Sequence, residues 1–286
     1  MTETLLRIAI QKSGRLKEGS IKLLTESGIS FGNGEQLKVR ADNFPLEILF
    51  LRDDDIPQYI QDDVVDAGIV GENVLKEKQS DAVIQKRLGF ARCRLSIAVP
   101  RQQAYRNITS LRNKKIATSY PVIVKNFLKK NKIDAEIHVI SGSVEIAPSI
   151  GLADAVCDLV SSGRTLSSNG LREVETILNS EAVLIGKKRM TAKKQTILNK
   201  LLFRIESLQN AQSNKYILLN CPDTAIKKIS GIIPGMKSPT ILPLNRKGWS
   251  SLHSVVNENE FWEKIDQLKK FGAEGILVIP IEKMIS

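Results

Sequence analysis

Apolar runs bounded by turn residues recur along the first two thirds of the chain, and segments with helical spacing of their apolar positions lie between them. Leu5–Ile10, Leu37–Arg40, Leu46–Leu51 and Asp66–Val70 read as strands. Leu16–Leu24, a stretch from Arg52 to about Asp62, and a stretch opened by Gly71-Glu72-Asn73 read as the helices among them. Leu95–Val99, closed by Pro100, ends this series. From Lys115 the rhythm restarts: strand Ile116-Ala117, helix Val122–Lys130, strand Glu136–Ile140, helix Glu145–Ile150, strand Ala155–Val160, and a helix starting within Leu166–Leu171. Glu175–Ile185 reads as a returning strand, followed by a basic helix to about Asn210. Repeated β-α units of this kind predict an α/β fold with a mostly parallel sheet and ligands beyond the carboxyl ends of its strands. The loops after Ile10, Leu51, Val70, Ala117 and Val160 all lie at such ends, so one shared cleft is expected.

After Gln209-Asn210-Ala211-Gln212-Ser213, which reads as a polar linker, the texture changes. Strand Lys215–Asn220, helix Thr224–Ile232, strands Pro239–Leu244 and Trp249–Val256, helix Phe261–Phe271 and strand Gly275–Ile279 give the order β-α-β-β-α-β, the split βαβ layout. The expected domains are residues 1–93 with 180–210, residues 94–179, and residues 211–286. The first two are halves that close on a ligand, and the third is an added α+β domain.

The length, 286 residues, allows two or three domains with a sizeable core. No apolar run is long enough for a membrane helix, and the start of the chain has no signal-peptide pattern. Cys93, Cys157 and Cys221 lie far apart without metal-type spacing, as reduced residues of a cytoplasmic protein would. The net charge of +11 suits either nucleic acid or polyanionic small substrates. Dispersed basic residues, an aromatic content of 5% and the lack of any recognisable nucleic-acid motif favour small substrates. His138, alternating with apolar neighbours, reads as an ordinary strand residue.

The chemistry concentrates in Ala155–Thr165. A buried strand carries one carboxylate, Asp158, and then Ser161-Ser162-Gly163-Arg164-Thr165 offer backbone N–H and hydroxyl donors ahead of a helix. Such a bend suits a phosphate. Asp158 does not suit phosphate; it can accept hydrogen bonds from a pair of sugar hydroxyls, or it can simply cap the next helix. The loop Lys12-Ser13-Gly14-Arg15 is a second candidate anion site, with an Arg fork and a Lys point charge flanking its glycine. Asp53, Asp54 and Asp55 fit a helix start, where at least one caps; direct Mg²⁺ ligation is the alternative.

Glu145, Gly151, Ala153, Val156, Asp158, Ser162-Gly163, Thr165 and Leu166 together resemble the signature of the ATP phosphoribosyltransferases, the first enzymes of histidine biosynthesis. Gln11–Leu16, Arg52–Pro57, Gly68–Val74 and Ala117–Pro121 also resemble motifs of that family, in its order. Ser238–Leu244 and Ile279–Met284 resemble its long form. The likeness covers nearly the whole chain.

The resemblance implies a two-lobed, periplasmic-binding-protein-like catalytic core followed by a ferredoxin-like (ACT-like) regulatory domain. It implies transfer of a phosphoribosyl group from phosphoribosyl pyrophosphate to N1 of the ATP adenine, with Mg²⁺ required but no residue assigned as its direct ligand. Asp158 is then expected to grip the ribose hydroxyls while Ser161, Ser162, Gly163, Arg164 and Thr165 cradle the 5′-phosphate. Lys12, Ser13, Gly14, Arg15, Asp54, Gly71 and Tyr120 fall on the ATP side, and Glu145 and Glu72 face the cleft. Histidine is the expected inhibitor, with Thr240, Leu242, Leu252 and His253 as its contacts. A homo-oligomer, dimer to hexamer, is expected, without nucleic-acid or membrane partners. The competing class is a two-lobed solute-binding protein without catalysis.

Overall fold

The computed structural model describes residues 4–32 and 36–285. The first lobe contains β1 (Leu6–Gln11), α1 (Arg15–Glu26), β2 (Lys38–Arg40), β3 (Leu46–Leu51), α2 (Ile56–Gln61), β4 (Ala67–Gly71), α3 (Glu72–Glu77) and β5 (Val83–Arg87). The second contains β6 (Cys93–Pro100), β7 (Lys115–Thr118), α4 (Pro121–Lys130), β8 (Glu136–Val139), β9 (Ala155–Val160), α5 (Arg164–Ser168) and β10 (Leu171–Ser180). The chain then returns as β11 (Ala182–Gly186) and continues into α6 (Ala192–Gln212). The last elements are β12 (Asn214–Pro222), α7 (Ile226–Ile232), β13 (Thr240–Pro243), β14 (Trp249–Asn257), α8 (Glu258–Lys270) and β15 (Glu274–Pro280).

Sheet order in the first lobe is β2-β3-β1-β4-β11-β5, and in the second β10-β6-β9-β7-β8. Strands β3, β1 and β4 run parallel, as do β8, β7 and β9. The remaining pairings are antiparallel, so each sheet is mixed rather than mostly parallel. Strands β1 and β4 of the first sheet and β9 of the second sit inside their sheets and are buried on both faces, whereas β8 is an edge strand. Ile8, Ala9 and Ile10 of β1, Ile69 and Val70 of β4, and Ala155, Val156 and Cys157 of β9 are all fully buried. Their carboxyl ends carry the loops of interest.

The sequence reads Glu175–Ile185 as one strand, but the chain breaks at Glu181. Residues before it pair with β6 in the second sheet and residues after it with β4 and β5 in the first, so one run serves two sheets. The other crossing, between β5 and β6, lies beside it: Leu88 N–H donates to Ala182 O at 3.0 Å and Ala182 N–H to Phe90 O at 2.9 Å. The helix expected over Glu145–Ile150 is a single 3₁₀ turn, Val144–Ile146. Pro148 has no N–H with which to extend it.

By compactness the chain divides into residues 1–25 with 29–198 and residues 26–28 with 199–286. The division falls within α6, whose end takes in the polar residues 209–212 that the sequence reads as a linker. In the smaller unit the sheet order is β13-β14-β12-β15. Ile217, Leu219 and Leu252 bury one face against Ile229 of α7 and Phe261 and Leu268 of α8. Among the described residues no helix is long and apolar enough to cross a membrane.

Candidate active site

Asp158 lies near the end of β9, two residues before Val160, and is partly buried. Removal from water pushes its carboxyl above the ordinary range, and the nearby Glu145 carboxylate adds to this; the Leu159 N–H, donating to Oδ1 at 2.7 Å, opposes both. No described residue donates to Oδ2, which leaves an acceptor for a ligand hydroxyl. Ser161 and Ser162 are exposed, and Gly163 turns the chain with φ 75°, a conformation that favours glycine. The helix starts at Arg164, two residues earlier than the sequence suggests, so Arg164 and Thr165 belong to its first turn. Arg164 N–H reaches Ser162 Oγ at 3.4 Å. Ser162 and Gly163 border a concavity of about 520 Å³ that Arg94, Arg101 and Arg172 also line.

On the first lobe, Lys12 N–H donates to Leu51 O at 2.8 Å, which ties the end of β1 to the end of β3. The next residues, Ser13, Gly14 and Arg15, are exposed, and Gly14 has φ 85°. Asp53–Asp55 form a 3₁₀ turn after β3, with Asp54 exposed. Burial raises the Asp53 carboxyl, and Asp54 raises it further.

Tyr120 joins the two lobes. Its phenol is pushed far above the usual range, first by burial and then by the charges of Asp158, Asp54 and Asp53. Charges from both lobes therefore act on one hydroxyl. Asn73 Nδ2 donates to Tyr120 Oη at 3.4 Å, and Ser180 Oγ donates to Asn73 Oδ1 at 2.8 Å. Gly71 is required by this arrangement, since a Cβ there would sit 2.3 Å from Asn73 Oδ1. Asn73 adjoins residues the sequence singles out; Ser180 carries no local signal, because its partner is 107 positions away.

Glu72 is tightly paired. Its buried carboxylate is held by Arg87 at 2.6 Å and Lys76 at 3.0 Å, which keep it well below the usual range. It borders a second concavity, about 360 Å³, with Arg87, Arg92, Cys93 and Glu181 where the chain passes between lobes. Its two cation partners tie Glu72 to α3 and β5 beside that crossing.

The described residues contain no group of three or more His, Cys, Asp or Glu arranged to hold a metal. In the last sheet, register sets Thr240 opposite His253 and Ile241 opposite Leu252. Thr240, Leu242 and His253 therefore share one face, while Leu252 points into the core and is fully buried, out of reach of a ligand. Both nitrogens of His253 are engaged, Nδ1 with Tyr216 Oη at 2.8 Å and Nε2 with Ser251 Oγ at 3.1 Å.

The family described as ATP phosphoribosyltransferase matches residues 52–207, and the one described as HisG, C-terminal domain, matches residues 211–283. The chain belongs to the ATP phosphoribosyltransferase family. The ATP phosphoribosyltransferase of Cytophaga hutchinsonii is 57% identical over 283 residues, covering 99% of each chain. That of Bacteroides thetaiotaomicron is 56% identical over 282 residues, covering 98% of this chain and all of the other. Among solved structures, a chain of the ATP phosphoribosyl transferase (HisG:HisZ) complex from Thermotoga maritima aligns with TM-score 0.61 at 27% identity, over 71% of this chain and 99% of that one. The ATP phosphoribosyltransferase core also shares its fold with Tv2483, solved bound to L-arginine, at TM-score 0.50 and 13% identity over 73% of this chain and 87% of that one.

Proposed function

We propose that this enzyme transfers the phosphoribosyl group of phosphoribosyl pyrophosphate to N1 of the ATP adenine, giving phosphoribosyl-ATP and pyrophosphate in histidine biosynthesis. The observation that carries the reading is Asp158 near the end of β9, with Oδ1 taken by the Leu159 N–H and Oδ2 left open by the described residues, shortly ahead of a donor-rich bend that turns at Gly163. The C1′–N1 bond forms as the C1′–pyrophosphate bond breaks. Attack by a ring nitrogen and departure of pyrophosphate need no side-chain nucleophile, so orientation and charge complementarity carry the rate.

In this scheme Asp158 Oδ2 accepts from a ribose hydroxyl, Ser161–Thr165 hold the 5′-phosphate, and Lys12 and Arg15 steady the polyphosphates from the other lobe. Tyr120, with Asn73 behind it, positions the adenine side. Mg²⁺ is the expected cofactor. The described residues contain no cluster that would hold such an ion alone, so it would arrive on the substrate phosphates, whose charge it would neutralise. The unpaired cysteines suit the reducing cytoplasm. Histidine is the proposed feedback inhibitor, with Thr240, Leu242 and His253 as its contacts. A homo-oligomer is favoured by apolar side chains on the edge strands, Leu242 on β13 and Leu277 on β15, each at least half exposed.

Pyrophosphate release, measured with ATP and phosphoribosyl pyrophosphate together and singly, tests the reading. Release that needs both substrates and falls on addition of histidine is expected. No release with both present refutes the activity.

A further inference from the structure

Beneath the bend, three strands carry a polar strap that the reaction scheme leaves unused. Arg94 on β6 grips Glu173 on β10 through a two-bond fork, Nε to Oε1 and Nη2 to Oε2. Arg94 Nη1 donates to the main-chain oxygen of Ser161 at 3.3 Å. Glu173 Oε1 also accepts from Thr176 Oγ1 at 3.3 Å, and Thr176 Oγ1 lies 3.3 Å from the buried Ser96 Oγ. Ser96 is the register partner of Asp158. The strap thus runs from beside the carboxylate of the site to the first residue of its bend.

A planar trans peptide fixes what this does. The carbonyl of Ser161 and the N–H of Ser162 belong to one peptide unit and point in opposite directions. A guanidinium that pins the carbonyl therefore aims the Ser162 N–H away from itself, toward the other side of the bend. Glu173 fixes the plane of the guanidinium, which a point-charge ammonium would not need. Left to itself, a peptide unit flanked by exposed Ser161 and Ser162 could rotate and present its carbonyl oxygen to the bend.

We propose that Arg94 and Glu173 are a positioning pair for phosphoribosyl pyrophosphate, orienting the Ser161–Ser162 peptide so that its N–H meets the 5′-phosphate. This rests on the reading that residues 161–165 hold that phosphate. Neither side chain touches the substrate.

The test uses the full-length enzyme with Arg94→Ala, Arg94→Lys and Glu173→Gln, and Thr165→Ala as a variant of the bend itself. Steady-state pyrophosphate release gives both KM values, and ribose 5-phosphate serves as competitor. The expected result is a rise of about ten-fold in KM for phosphoribosyl pyrophosphate and in Ki for ribose 5-phosphate. KM for ATP and kcat should stay within two-fold, and Lys should fail to substitute for Arg. A merely structural pair would lower thermal stability or all kinetic constants together without this split, and that pattern overturns the inference. Should the Ala variant not fold, Arg94→Lys and Glu173→Gln decide. If Thr165→Ala weakens ribose 5-phosphate while the strap variants do not, the positioning role is wrong and the bend stands. If none of the four does, the phosphate assignment of the bend falls, and the inference with it.

Discussion

Glu77 of the first lobe caps a helix of the second: its Oε1 accepts the Val122 N–H at 2.9 Å and its Oε2 the Ile123 N–H at 3.0 Å. These are two of the N–H groups that open α4 and have no partner within the helix, and Pro121 ahead of them has none to offer. The carboxylate also meets the positive end of the helix dipole. Glu77→Ala removes both bonds, and a loss of about 1–3 kcal/mol in stability is expected from the cost of an orphaned cap. Thermal unfolding measures it, and an unchanged midpoint would show that the cap carries no energy.

Asp158→Asn should separate activity from stability. Loss of a charged acceptor costs about 1–3 kcal/mol of transition-state binding, read as a lower kcat/KM for phosphoribosyl pyrophosphate. The sign for stability is opposite. The folded carboxyl titrates above its unfolded value, so its favourable contribution is full below the unfolded value and is lost as pH rises through the folded one. At neutral pH the Asn variant should therefore melt higher than wild type. A lower melting temperature at neutral pH, with stability of the wild type flat across the acid range, contradicts this.

Activity of the wild type should also fall as pH drops through that raised value, since the neutral acid accepts from a sugar hydroxyl more weakly than the carboxylate does. The acid limb of kcat/KM against pH should disappear in Asp158→Asn. An identical acid limb in the variant would assign it to another group.

Gly71→Ala would put a methyl group 2.3 Å from Asn73 Oδ1, so the amide must leave Ser180 or Tyr120. A stability loss of about 1–3 kcal/mol from overpacking is expected, with reduced kcat/KM for ATP. In Gly71→Ala/Asn73→Ala the two effects should be clearly non-additive, because the clash partner is gone. Additive losses in that double-mutant cycle would refute the contact.

For the smaller unit, Thr240→Lys should abolish histidine inhibition with the melting temperature unchanged, because Thr240 is exposed on an edge strand. Leu252→Ala should instead cost about 2–5 kcal/mol in stability, as a fully buried Leu does. Inhibition retained in Thr240→Lys would move the sensor elsewhere.

How much of this is legible in the sequence follows from distance along the chain. The strand Ala155–Val160 and the turn at Gly163 are legible because apolar run and glycine are contiguous, although the helix begins two residues sooner than the sequence suggests. The link Ser180–Asn73–Tyr120 is invisible, since its members lie in three different elements of two lobes. Glu72 shows the same limit: Lys76 is its helical neighbour at i+4 and legible, but Arg87 arrives from a strand and its pairing with Glu72 is not. Leu252 is a different case. Strict alternation with His253 places the two on opposite faces of β14, so its burial was available from the period-two pattern alone. Polarity alone makes residues 209–212 look like a linker, but Gln and Ala are sound helix formers and α6 continues through them.

The passage from β10 to β11 through Glu181 carries a last implication for how this chain can change over evolutionary time. Side chains alternate along a strand, so adding or deleting a single residue there would invert β11, sending Val183 and Ile185 to the side that Ala182 and Leu184 now fill and misfitting two buried faces at once. Length at this junction is thus more tightly constrained than identity, and family members should differ here by exchange of residues rather than by gain or loss of them.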